Sequence, residues 1–146
     1  MSEVEQNTAA KSAAKGSRKI KWIVGVILLM FATAVAMNLP RGYSDDLSRV
    51  GKGKAAVVLV RDKNAVQSFD LMEVMNGLRD QYAGRVEFLL TDFNTPEGRA
   101  FIAEKGGARV TLVVLDANGK MASVLYPPQT AESVEQAIAG VLGIVQ

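Results

Sequence analysis

Residues 22–37 contain no charged side chain, and that run constrains the chain more than any other feature. Asn38 and Leu39 extend it to 18 uncharged residues before Pro40 breaks it. As a helix, such a run rises about 27 Å, close to the ~30 Å hydrocarbon thickness of a bilayer. It is apolar on every face, through Ile27, Leu28, Leu29, Phe31 and Val35. A buried helix of a soluble core is the other reading of such a segment, and the polar tail that flanks it argues against that reading. Lys21 can snorkel to the interface, and Trp22 suits the interfacial belt. Pro40, Arg41, Gly42 and Tyr43 supply a breaker, a charge and an aromatic at the other end. The sequence thus predicts a transmembrane signal anchor over residues 20–39. A cleavable signal peptide is the competing reading. Residues 32–34 and 34–36 both read Ala-x-Ala, although the basic tail ahead of the apolar core is long for such a signal.

Charge divides the chain the same way. Residues 1–21 carry Lys11, Lys15, Arg18, Lys19 and Lys21 against Glu3 and Glu5, a net +3. From Pro40 onward the net charge is −1, so the overall +2 belongs to the tail. The rest has no excess positive charge with which to hold nucleic acid. The tail, residues 1–19, is rich in Ala, Lys, Ser, Glu and Gln, and is expected to be disordered. Positive charge on the N-terminal side of the span places that side in the cytoplasm. The remainder then lies across the inner membrane, in a bacterium in the periplasm.

The chain has no cysteine and no histidine. Disulfides, the usual zinc sites, His or Cys haem ligation, and Ser-His or Cys-His nucleophilic machinery are therefore unavailable to it.

Residues 40–53 hold Gly42, Gly51, Gly53 and several charges and are expected as a linker. The Gly51-Lys52-Gly53-Lys54 stretch precedes a strand and lacks the frame of a phosphate-binding loop. Residues 54–146 form the expected domain. Residues 55–60 are a continuous apolar run, as in a strand buried on both faces. Leu71, Met75, Leu78 and Tyr82 recur at helical spacing in a helix over 68–82. Residues 85–92 read as a second strand. Thr95 and Pro96 start a helix that Gly106 and Gly107 end. Residues 110–115 and 121–126 read as a hairpin around an Asn118-Gly119 turn. Thr130 caps a final helix with Val134, Ile138, Val141 and Leu142 on its apolar stripe. The order β-α-β-α-β-β-α predicts an α/β domain with a four-stranded mixed sheet and helices on both faces. The early strands, joined by helical crossovers, are expected to be parallel and right-handed.

This order, with these lengths, resembles the thioredoxin fold over residues 54–144. The resemblance rests on the buried run Val57-Val58-Leu59-Val60, the helix ending near Asp80-Gln81-Tyr82, and Thr111-Leu112-Val113-Val114-Leu115 running into the Asn-Gly turn. An ungapped overlay puts the family's Cys-x-x-Cys pair on Ala65-Val66-Gln67-Ser68 and the preceding aromatic on Asn64. It puts the buried strand carboxylate on Leu59 and the cis-proline on Val110, between Arg109 and Thr111. Every redox mark is absent together. Thiol exchange requires a thiolate, and Ser68 has no base beside it, so its hydroxyl reads as a helix N-cap. A cis bond before Val110 would cost about 2.5–4 kcal/mol, so a trans bond is expected.

The resemblance implies a redox-inactive, non-catalytic member with no cofactor, acting by protein contact. Family members grip extended polypeptide at the rim. Here the rim corresponds to Asn64, Ala65, Val66, Gln67, Ser68, Arg109, Val110, Thr111, Tyr126 and Pro127. The expected partners are the bilayer and a membrane or periplasmic complex in which the chain is an accessory subunit or assembly factor. The alternative is a small-ligand or metal-binding module using strand-end carboxylates, with Asp62 and Asp92 around a cation. Against that, both acids read better as solvated loop residues or helix caps. Met72, Met75 and Met121 supply thioethers, but core filling accounts for them.

Overall fold

The computed structural model describes residues 2–38 and 42–144, with the backbone alone for residues 2–15 and Asn38. Leu39, expected to extend the apolar helix, and Pro40 and Arg41, expected to end it, lie outside the described residues. The chain divides into two units, residues 1–42 and 43–146.

In the first unit a single helix, α1, runs Ser2–Asn38. Its stretch Gly16–Met37 is long and apolar enough to cross a membrane, and none of it is buried within the protein. Trp22, Leu28, Leu29 and Phe31 are all exposed, which in water would be unfavourable and in lipid is not. The helix includes residues 2–19, for which the sequence predicts disorder. Ala, Lys, Glu and Gln are strong helix formers, and extending an existing helix avoids the cost of a new nucleus.

The second unit is a four-stranded sheet with helices on both faces. Its elements are β1 (Ala55–Arg61), α2 (Val66–Arg79), β2 (Val86–Asp92), α3 (Pro96–Lys105), β3 (Thr111–Leu115), β4 (Met121–Leu125) and α4 (Ala131–Leu142). The strand order is β2-β1-β3-β4. Central β1 explains the continuous apolar run. Ala55, Val57 and Leu59 enter one layer with Leu71, Met75 and Leu78 of α2 and with Val134 and Ile138 of α4. Ala56, Val58 and Val60 enter the other with Phe101 of α3, Leu89, Val113 and Leu115. Alternation along a strand sends successive side chains to opposite faces, and here both faces are covered.

β1 and β2 are parallel, with Ala55 opposite Val86. β3 is antiparallel to β1, which corrects the expectation of parallel pairing across the second crossover. The cause lies in residues 106–110. Thr111 pairs with Val60, so β3 starts at the end where β1 finishes. Helix α3 rises about 15 Å. Five extended residues reach about 17 Å, enough to bring the chain back. β4 pairs antiparallel to β3, with an irregularity between Val114 and Leu115. Helix α4 begins with a reciprocal capping box between Thr130 and Ser133.

Residues 43–53, expected as a linker, pack onto the domain. The Tyr43 hydroxyl donates to Asn76 Oδ1 at 2.6 Å, and the Arg79 guanidinium lies 4.7 Å from the ring centre. Ser44 bridges to Leu89 and its carbonyl accepts from the Leu90 N–H, which covers the outer edge of β2. Leu47 and Val50 pack against the second layer. Gly51 (φ +76°) lies against the β3–β4 turn, where a Cβ would sit 3.0 Å from the Asn118 carbonyl oxygen. Gly51 serves close packing, which composition cannot distinguish from a flexible connection.

Gly98, in the first turn of α3, is the tightest approach in the domain. A Cβ there would lie 2.0 Å from the Asp92 carbonyl oxygen, which is backbone and cannot swing away. Gly98→Ala is expected to lower stability by about 1–3 kcal/mol or more, read as the urea midpoint of the detergent-solubilised protein.

Candidate partner-binding rim

The rim is organised by a residue that the sequence reading treated as an ordinary loop acid. Asp62 follows the last residue of β1 and is fully buried. Its Oδ1 accepts from the Asn64 N–H at 2.9 Å, and its Oδ2 takes the Arg109 Nε in a close ion pair. Its own N–H donates to the Ser68 hydroxyl at 2.9 Å, and its carbonyl accepts from Ala65 N–H at 3.0 Å. One residue thus ties the β1–α2 connection to the α3–β3 connection. The Asn64 N–H, and then the Arg109 guanidinium and the Asn94 side chain, hold the Asp62 carboxyl below the usual carboxylate range, against burial that raises it.

Ser68 is not the N-cap. Helix α2 starts at Val66 with Ala65 as the cap, and Ala65 offers no side-chain bond. The Ser68 side chain turns inward, is buried, and serves Asp62. Thr111 is also buried, with its hydroxyl accepting from the Ala108 N–H at 3.2 Å. Val110 is half-buried and packs against the first core layer. Ser68 and Thr111 are thus buried inside the fold, and Val110 is part-exposed beside them.

The others reach the surface. Asn64 and Gln67 are exposed and Ala65 is half-buried. Val66 is 70% exposed, and the Arg109 side chain is 61% exposed despite its ion pair. The β3–β4 register sets Leu125 opposite Leu112, so Tyr126 leaves the sheet where β3 begins. Tyr126 is exposed and Pro127 half-buried. The peptide between Pro127 and Pro128 is cis, and the bond before Val110 is trans. Phe69, not expected at the rim, is 59% exposed and one turn beyond Val66. Its signal was available: it falls off the stripe formed by Leu71, Met75 and Leu78.

The two carboxylates proposed for a cation are already engaged. Asp62 is held as described. Asp92 accepts from the Asn94 N–H at 2.9 Å and lies 3.4 Å from Lys63 Nζ. Among the described residues no three His, Cys, Asp or Glu side chains gather as a metal set.

No protein-family model matches the chain, and no curated protein matches it in sequence. Solved structures do match in shape. The solution structure of an uncharacterized thioredoxin-like protein from Clostridium perfringens superposes with a TM-score of 0.60 at 10% identity, over 66% of this chain and 78% of that one. A thioredoxin-family thiol:disulfide interchange protein from Chlorobium tepidum gives 0.51 at 22% identity, over 63% and 82%. The domain has a thioredoxin-like fold. A structure described as a malarial protein also matches, with a TM-score of 0.51 at 18% identity, over 61% of this chain and 98% of that one. At these identities the likeness concerns the fold alone. The chain has no cysteine, and the positions on which the sequence overlay sets the redox pair hold Ala65 and Ser68.

Because the Asp62 carboxyl is held below its unfolded value of about 3.9, its contribution to stability is present at neutral pH. It is lost as pH falls through the folded pKa. Arg109→Ala is expected to lower the melting temperature at pH 7, with the gap to the parent narrowing below about pH 4 as Asp62 protonates. A gap that stays constant to pH 3 would assign the loss to packing instead of charge.

Proposed function

We propose that this is a non-catalytic thioredoxin-like protein, held on a bacterial inner membrane by α1 with its domain in the periplasm. It acts by protein contact as an accessory subunit or assembly factor of a membrane or envelope complex. One observation carries the reading. Where redox members need an accessible thiol, this chain has a half-buried Ala65 and an inward-facing Ser68 held by Asp62, beside exposed Val66 and Phe69. Exposed apolar side chains at a helix start are disfavoured in water and suit a partner's surface. A tether adds to this by raising the local concentration of membrane partners.

The carboxylate alternative has less support, because both acids already have cationic partners. Crosslinking in native membranes followed by mass spectrometry tests the main reading. The parent is expected to capture a discrete membrane or periplasmic partner. Val66→Glu combined with Phe69→Glu should leave stability within about 0.5 kcal/mol, as exposed substitutions usually do, and abolish the capture. Unaltered capture would remove the rim from consideration.

The cysteine-free chain is also a clean background for topology mapping. In intact cells whose outer membrane has been made permeable, Lys120→Cys is expected to react with a membrane-impermeant maleimide, and Ser12→Cys only after lysis. The reverse pattern would invert the orientation.

A further inference from the structure

An open sheet ends in two edge strands, each with a row of backbone N–H and C=O groups that no neighbour takes. In this sheet they are β2 and β4. The β2 edge is covered by Ser44, through its bridge to Leu89 and the bond from the Leu90 N–H to its carbonyl. The β4 edge is not. Among the described residues, no backbone bond joins Met121–Leu125 to anything but β3.

Edge strands that stay single usually carry a charge or a proline. Residues 121–125 have neither. Met121, Ala122, Val124 and Leu125 are apolar, and none of them is fully buried, unlike every residue of β3. Met121 and Tyr126, exposed at 42% and 56%, stand at the two ends of the strand. One protecting device is present, a bulge. Met121 pairs with Leu115 and Ser123 with Val114, so Ala122 is the extra residue. Ser123, Val124 and Leu125 keep regular pairing, and these three remain to receive another strand.

We propose that β4 pairs antiparallel with β4 of a second copy of this chain, centred on Val124. Ser123 then faces Leu125 of the second copy, Val124 faces its own counterpart, and the part-exposed sides of Val124 and Leu125 leave water. Charge selects this arrangement. Lys120 is the nearest charged residue to the strand on its N-terminal side, and it falls opposite Pro128 of the second copy. The two lysines are then ~27 Å apart at ~3.4 Å per residue, well beyond the ~8 Å screening length. In a parallel, in-register pairing they would be neighbours. Pairing one edge with its own copy generates a two-fold axis and closes. Because Ser44 covers the β2 edge, two four-stranded sheets join and growth ends there. Three regular residues form few bonds, too few to hold two copies together in dilute solution. Confinement of the copies to one membrane supplies the local concentration. That last step rests on the tether proposed above; the pairing edge does not.

The test uses the full chain in native membranes, where each thiol on it is an introduced one. Val124→Cys is expected to give a disulfide-linked dimer on mild oxidation, because directly opposed Cβ atoms of an antiparallel pair lie about 4.5–5.5 Å apart. Ala83→Cys, exposed in the connection into β2, is expected to stay monomeric. Should Val124→Cys not fold, a nitroxide on Lys120→Cys, an exposed position, carries the test. It is expected to show an intermolecular distance near ~27 Å. Ser123→Lys, which charges the edge, is expected to remove that distance. Absence of both signals, a distance that survives Ser123→Lys, or capture of a different protein at position 124 overturns the proposal. Equal crosslinking at positions 83 and 124 also overturns it, assigning the contact to α1 or to collision. None of these outcomes involves Val66 or Phe69, so partner capture at the rim stands or falls separately.

Discussion

A carboxylate sealed from water must be solvated by the protein itself, and Asp62 shows what that requirement does to a chain. Its oxygens claim the Asn64 N–H and the Arg109 guanidinium, and its backbone claims the Ser68 hydroxyl and the Ala65 N–H. Asn64, Ala65 and Arg109 sit on connections, and Ser68 in the first turn of α2. The ends of β1, the start of α2 and the approach to β3 are thereby fixed relative to one another. Removing the guanidinium would leave a buried charge with fewer partners, a far less favourable state than replacing the whole pair with apolar side chains. The pair therefore does little to explain why the domain is stable. It explains why these connections have one arrangement.

The sheet beneath supplies the rigidity on which that arrangement depends. β1 is covered on both faces, so Asp62 is delivered by a strand that cannot tilt or slip. A slip of one residue would exchange Val57 and Leu59 with Val58 and Val60 between the two layers. Because both layers are apolar, polarity alone would not forbid the slip. Side-chain size would: Ala55 and Ala56 stand at one end of the strand and the bulkier residues at the other. The segment 43–53 adds to this by covering the edge of β2 and seating Gly51 against the β3–β4 turn. The domain thus begins at Tyr43, immediately after the helical unit.

How much of this was legible in the sequence follows from which forces are local. Element types and most boundaries were readable, because apolar periodicity and caps such as Thr95 and Thr130 act within a few residues. The direction of β3 was not, since it depends on how far residues 106–110 reach back after α3. The packing of residues 43–53 was hidden for a related reason. A glycine-rich, charged stretch reads as a linker, and only the opposing Asn118 and Gly119 show that Gly51 is there for close approach. At the rim, the resemblance pointed to Val66, Arg109 and Tyr126, and all three side chains are exposed. The inward turn of Ser68 was not legible, because it answers a demand set by Asp62 six residues earlier.

That demand bears on the absence of redox chemistry. A reactive thiolate at the start of a helix is stabilised by the positive end of the helix dipole and by nearby N–H groups. In this chain the anion near the start of α2 is the Asp62 carboxylate, three residues before the N-cap Ala65. It is ionised at neutral pH, held by backbone and by Arg109, and cannot form a bond to sulfur. The local electrostatics that tune a nucleophile elsewhere here stabilise a fixed structural charge. Introducing cysteines at Ala65 and Ser68 alone would therefore not create that environment. The second cysteine would displace the hydroxyl that accepts from the Asp62 N–H, and any thiolate at the first would face a carboxylate already occupying the favourable field. In this chain that part of the fold is a junction that holds the β1–α2 and α3–β3 connections in one arrangement.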